Sequence, residues 1–133
     1  MDLETKKEKL IVTGVRSTFS FIPNTNKIIY AKLSDKNKNS YNIHDLYVYD
    51  IDLEKETRLT FGMRANSPNV SKSGDKIIFL FQRDGTANLG MVDIDGKNFL
   101  QLTFFQNGEQ VYNPKFSSDD SFIVFDYSYH HTR

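Results

Sequence analysis

An internal repeat constrains this chain more than any other feature. The segment SPNVSKSGDKIIF (67–79) lies over NPKFSSDDSFIVF (113–125) without a gap, placing Pro68 on Pro114, Val70 on Phe116, Ser71 on Ser117, Ile77 on Ile123 and Phe79 on Phe125. A second register sets LYVYDIDLEKETRLTF (46–61) over LGMVDIDGKNFLQLTF (89–104). It matches Asp50-Ile51-Asp52 to Asp93-Ile94-Asp95 and Leu59-Thr60-Phe61 to Leu102-Thr103-Phe104. A weaker segment, TFSFIPNTNKIIY (18–30), lies over 67–79 and matches Lys27-Ile28-Ile29 to Lys76-Ile77-Ile78. Three matches in the same order, at a spacing of about 45 residues, are the mark of tandem structural units.

Each unit reads as four short strands. The first is a partly polar segment such as Pro68–Ser71, closed by the turn signal Ser73-Gly74-Asp75. The second is a continuous apolar run, Ile77-Ile78-Phe79-Leu80-Phe81, echoed by Ile28–Ala31 and Ile123–Phe125. Such a run buries both faces of its strand. Asp84-Gly85 is a turn pair suited to positive φ. It leads to a third strand, Asn88–Ile94, or Leu46–Ile51 in the earlier unit. Asp95-Gly96 then turns the chain into a fourth, Phe99–Phe104, matched by Thr57–Phe61. No stretch sustains a 3.6-residue apolar period. Only residues 2–9 favour helix locally, and their likeness to 52–61 argues for strand there too. Four-stranded units buried on both faces of their inner strands stack radially as β-propeller blades, whereas a β-sandwich needs no self-similarity and has alternating central strands.

The expected fold is therefore all-β, a partial propeller of about two complete blades and parts of two others. Residues 1–16 would end a preceding blade, with Lys9–Thr13 as its fourth strand. Residues 17–65 form a divergent blade 1 with a polar insert at 34–43, 66–107 form blade 2, and 108–133 begin a truncated blade 3. Propellers have at least four blades, so the chain reads as part of something larger. Both outer blade faces are then expected to expose apolar side chains and to self-associate.

The run P-x-V-S-x-S-G-D-K-I-I-F, followed by Q-R-D-G, D-I-D-G and Q-L-T-F, resembles the TolB-like, WD-repeat-like propeller repeat. The second unit matches that pattern nearly throughout, with Lys72 where the pattern has Pro. The third has Asp119-Asp120 in place of Asp-Gly, and the first lacks both the Pro and the glycine turn. The resemblance implies a protein-binding propeller of the periplasm or cell envelope. Similar propellers also gate substrate entry in prolyl-oligopeptidase-type serine peptidases, so the alternative is the propeller portion of such an enzyme without its catalytic domain.

The residues themselves offer no chemistry. Lys and Arg number 17, and so do Asp and Glu, giving zero net charge, which removes the usual warrant for binding nucleic acid or anionic membrane. Zero Cys excludes disulfides, thiolate metal sites and a cysteine nucleophile. The nucleophile elbow G-x-S-x-G and the phosphate-cradling glycine loops are absent, and Ser73-Gly74 reads as a turn. No apolar run approaches the length of a membrane span, and no apolar segment at the N-terminus is long enough for a signal peptide. His130-His131 near Asp126 point to opposite faces of a strand and form no metal pair. Asp50, Asp52, Asp93 and Asp95 recur with the repeat, as turn-forming carboxylates do. No catalytic residue, metal or cofactor is expected. Partner contacts are assigned to Tyr41, Asn42 and His44 at the end of the insert, and structural turns to Gly74, Asp84, Gly85, Asp95 and Gly96.

Overall fold

The computed structural model describes residues 1–36 and 42–129. Among them ten strands and no helix form three antiparallel sheets. The first sheet has the order β1 (Val15–Phe21), β2 (Lys27–Lys36), β3 (Asn42–Asp50), β4 (Lys55–Arg58). The second repeats it with β5 (Ala65–Val70), β6 (Lys76–Arg83), β7 (Thr86–Asp93), β8 (Leu100–Gln101). The third is the hairpin β9 (Gln110–Phe116) and β10 (Ile123–Ser128), which corresponds to the first two strands of the other sheets. The first strands β1, β5 and β9 lie side by side.

Both sides of the central strands are buried. Ile29, Ala31 and Leu46 of the first sheet pack on Ile77, Phe79, Phe81 and Val92 of the second. The opposite face of the second sheet, Leu80, Ala87 and Leu89, packs on Val111 and on the partly buried Ile123 and Phe125 of the hairpin. This explains the unbroken apolar runs, since alternate residues of one strand serve two different interfaces.

The first strands are joined by side chains at repeat-equivalent positions. Ser20 Oγ accepts the Val70 N–H at 3.1 Å, and Asn69 Oδ1 accepts the Phe116 N–H at 2.8 Å. Each of these strands is bulged, with Ser17, Ser67 and Asn113 at φ of 65°, 51° and 51°. Pro68 and Pro114, which follow the bulged residue in two of them, are fully buried. The extra residue breaks the ladder locally and sharpens the twist of the strand.

The structure departs from the sequence reading at three places. Residues 1–14 form a turn and an extended arm with no strand, so Lys9–Thr13 is not a fourth strand. Instead Ile11 and Val12 pack on Ile28, Tyr30, Tyr47 and Tyr49. The tyrosine part of that face is thus covered, and Tyr30 is hydrogen-bonded to Glu56, which also holds Lys32 at 2.6 Å. Both faces expected to be bare still expose apolar side chains: Phe19 and Phe21 of β1 are 56% and 55% exposed beyond the arm, and on the hairpin Val124 is 67% and Tyr112 45% exposed.

The fourth strands are also shorter than read. In both sheets a threonine ends the ladder: Thr60 Oγ1 accepts the Leu46 N–H and Thr103 Oγ1 accepts the Leu89 N–H, each at 2.9 Å. A side-chain oxygen stands there where a strand carbonyl would continue the sheet. Finally, the shoulders of the 34–43 insert are strand, because β2 runs to Lys36 and β3 starts at Asn42.

Candidate partner-binding rim

The β6–β7 connection is a two-residue turn closed by the Arg83–Thr86 pair, with Asp84 and Gly85 both left-handed at φ of 51° and 76°. That is the geometry of a type I′ hairpin turn, whose twist matches the flanking strands. Gly74 and Gly96 are left-handed too, at 79° and 84°. Asp95 and Gly96 sit in a longer connection in which Gly96 N donates to Asp93 O at 2.8 Å and Lys97 N donates to Asp95 Oδ1 at 3.0 Å. They and Gly74 lie at the end of the blade opposite Asp84 and Gly85. The eight residues of β6 separate the two ends by about 23 Å.

The end carrying Asp84 is built around two buried polar side chains that the sequence reading did not single out. In the first sheet Asp45, fully buried, accepts hydrogen bonds from Thr60, Gly62, Met63, Ser34 and Arg58. Thr60 Oγ1 donates at 2.8 Å, Gly62 N at 2.8 Å, Met63 N at 2.9 Å, Ser34 Oγ at 2.9 Å and Arg58 Nη2 at 3.0 Å. In the second sheet Asn88 stands in its place. Asn88 Oδ1 accepts from Thr103 Oγ1 and Phe105 N at 2.8 Å, while Nδ2 donates to Phe105 O at 3.0 Å. A carboxylate suits the first site, where an arginine and four other donors converge. An amide suits the second, where a carbonyl must also be met and Gln101 replaces the arginine. The signal was present in the sequence: Asp45 and Asn88 each precede an aligned Leu, and Thr60 and Thr103 are aligned.

These buried groups fix the loops that leave each fourth strand, and the loops hold an exposed aromatic pair. Phe61 and Phe104, aligned in the repeat, are 71% and 70% exposed. Arg58 lies 4.5 Å from the Phe61 ring centroid. Two hollows open beside the β6–β7 turn. One, of about 230 Å³, is lined by Met63, Arg64, Phe81, Arg83 and Asp84, and the other, of about 330 Å³, by Arg83, Asp84, Thr86, Asn88 and Phe104 among others. Gly108 N donates to Thr86 Oγ1 at 2.9 Å and Gln110 Nε2 to Gly85 O at 2.8 Å, which ties the next loop to the same turn.

Of the residues assigned to partner contacts, Tyr41 lies outside the described residues. Asn42 begins β3, and His44 is half-buried two residues further on. His44 Nε2 accepts from Arg16 Nε at 3.3 Å, and burial together with the Arg16 charge holds its pKa below the ordinary histidine value. Both belong to the β2–β3 hairpin, at the same end of the molecule as the β6–β7 turn. His130 and His131 lie outside the described residues. Among the described residues no three His, Asp or Glu side chains gather as a metal site would require.

No family model matches the chain. An uncharacterized protein of Agrobacterium fabrum is 34% identical over 83 residues, covering 62% of this chain and 28% of the relative. A structure assigned as TolB from Agrobacterium tumefaciens superposes with a TM-score of 0.72 at 28% identity, over 88% of this chain and 40% of that one. The propeller domain of the Trilobed protease of Pyrococcus furiosus gives 0.60 at 11% identity, over 82% and 32% of the two chains. The acylaminoacyl peptidase of Pyrococcus horikoshii gives 0.59 at 14%, over 80% and 16%. At such identities the peptidases share the fold alone. The chain thus spans well under half the length of these proteins. A partial TolB-like β-propeller is what this chain folds into.

Proposed function

We propose that this chain is a non-catalytic segment of a larger TolB-like propeller at the cell envelope, and that it binds a protein partner through the rim carrying Phe61 and Phe104. The observation that carries the reading is the pair itself. Two large aromatic rings stand about 70% exposed at equivalent places in successive blades, on loops fixed from beneath by Asp45 and Asn88. Exposed aromatics on a rigid frame are the common anchors of protein interfaces. The β2–β3 hairpin, with Asn42 and His44 on β3, lies at the same end. The TolB likeness supports an envelope location.

A photo-crosslinking amino acid placed at Phe61 or Phe104 tests this, with Asp52 at the opposite end as control. Protein adducts are expected from the first two positions. Equal adducts from all three, or none, would refute a rim-specific partner. The substrate-gating alternative shares the fold, and a G-x-S-x-G hydrolase domain in the parent protein would replace the scaffold reading with it.

A further inference from the structure

The chain is neutral overall, yet its arginines gather at one end. All four described arginines, Arg16, Arg58, Arg64 and Arg83, belong to strand ends or loops on the Phe61–Phe104 side. The turns at the other end are of mixed charge, with Asp50, Asp52, Asp93, Asp95, Asp119 and Asp120 beside Lys27, Lys55, Lys72, Lys76 and Lys97. The two hollows flanking the β6–β7 turn form a trough from Met63 and Arg64 to Phe104, and Asp84 is the single carboxylate in its lining. Arg83, which lines both hollows, makes no ion pair among the described residues. Phe81 is buried at 4% exposure in the floor, whereas Phe104 stands out at one lip.

We infer that this trough binds an extended acidic peptide segment, with a carboxylate on Arg83 and an apolar side chain against Phe104. The inference rests on the rim-binding reading and names the partner's chemistry. An unpartnered guanidinium is a directional receptor for a carboxylate, with donors in a fixed fork. The exposed ring calls for an apolar neighbour, which a peptide supplies within one or two residues of an acid. A long polyanion satisfies the arginine alone and leaves the Phe104 ring without an apolar neighbour.

The test is fluorescence anisotropy of the 133-residue chain with a fluorescein-labelled peptide alternating Glu or Asp with Phe and Leu. Two probes serve as controls, the same peptide with Lys at every acidic position and a labelled oligothymidylate. The acidic peptide should bind and weaken as salt is raised, and the lysine peptide should not bind. Arg83→Glu should weaken binding about tenfold or more, and Phe104→Ala about fivefold. Arg83→Gln keeps a long polar side chain and should show an intermediate loss, which separates charge from any folding defect. Asp84→Asn should tighten binding, and Lys97→Ala at the opposite end should leave it unchanged. Equal binding of the lysine peptide, tighter binding of oligothymidylate, or indifference to both Arg83 variants would each overturn the inference. Protein adducts at Phe104 with no acidic-peptide binding would remove this inference and leave the rim as a protein surface. Absence of both would remove the rim-binding reading as well.

Discussion

Gly85 and Gly96 each follow an aspartate, and both are left-handed, at φ of 76° and 84°. Replacing either by alanine places a Cβ in a conformation that disfavours it by about 1–2 kcal/mol. Their surroundings separate them. A Cβ on Gly85 meets nothing within 4 Å, whereas one on Gly96 lands 2.2 Å from Leu59 O and 2.9 Å from Leu59 C. Ordinary contact begins near 3.5 Å, so the two blades must part by about 1 Å, and overpacking of this kind costs about 1–3 kcal/mol. Gly96→Ala should therefore destabilise by about 2–5 kcal/mol and Gly85→Ala by about 1–2 kcal/mol. With a urea slope of about 1–3 kcal/mol/M, the overpacking difference of about 1–3 kcal/mol is a midpoint shift on the order of 1 M between the two variants. The chain has 7 Tyr and no Trp, so urea unfolding is followed by tyrosine fluorescence and far-ultraviolet dichroism. Midpoints for the two variants that agree within error would show that Gly96 is a turn glycine only and that the Leu59 contact carries no weight.

Asp45→Ala should lower stability by about 3–5 kcal/mol, because Arg58 and the Gly62 and Met63 N–H groups lose their acceptor, while Asp45→Asn should lose less than half of that; equal urea midpoints for the two variants would contradict this. Three hydrogen bonds from Ser121 and Ser117 hold the pKa of Asp119 down to about 2. Its contribution is present above the unfolded carboxylate value and is lost as pH falls from about 4 through 2, so Asp119→Asn should flatten the acid limb of the stability profile, and an unchanged limb would count against this role. The open hairpin face should make the chain self-associate, and Val124→Lys should reduce the effect in light scattering and dye binding; a wild-type chain that stays monomeric at high concentration would refute this. Ser20→Ala and Asn69→Ala should each destabilise by about 1 kcal/mol through the lost inter-blade bond, and a double variant no worse than one single would show that the two bonds do not act separately.

Much of the architecture was legible in the amino-acid order. Each blade is one hydrophobic and turn pattern written again, so alignment of 67–79 with 113–125 and of 46–61 with 89–104 located the repeat and its strands. Unbroken runs such as Ile77–Phe81 announced strands buried on both sides, and Asp84-Gly85 announced a tight turn, because these depend on local preference and period. The arm at Ile11–Val12 was not legible, since a short apolar pair pairs as a strand or packs as a plug according to what faces it. Here it meets the tyrosine face of the first sheet. The end points of β4 and β8 were equally hidden, for they depend on Thr60 and Thr103 reaching a neighbouring strand's N–H. The candidate rim shows the same division. Phe61 and Phe104 lie in the aligned Leu-Thr-Phe motifs, and read as sequence they pass for blade packing; only the assembled loops show both rings exposed beside Arg58 and Arg83. Sequence alone determined what recurs with period, and tertiary structure decided which repeated side chains found a neighbour and which were left facing solvent.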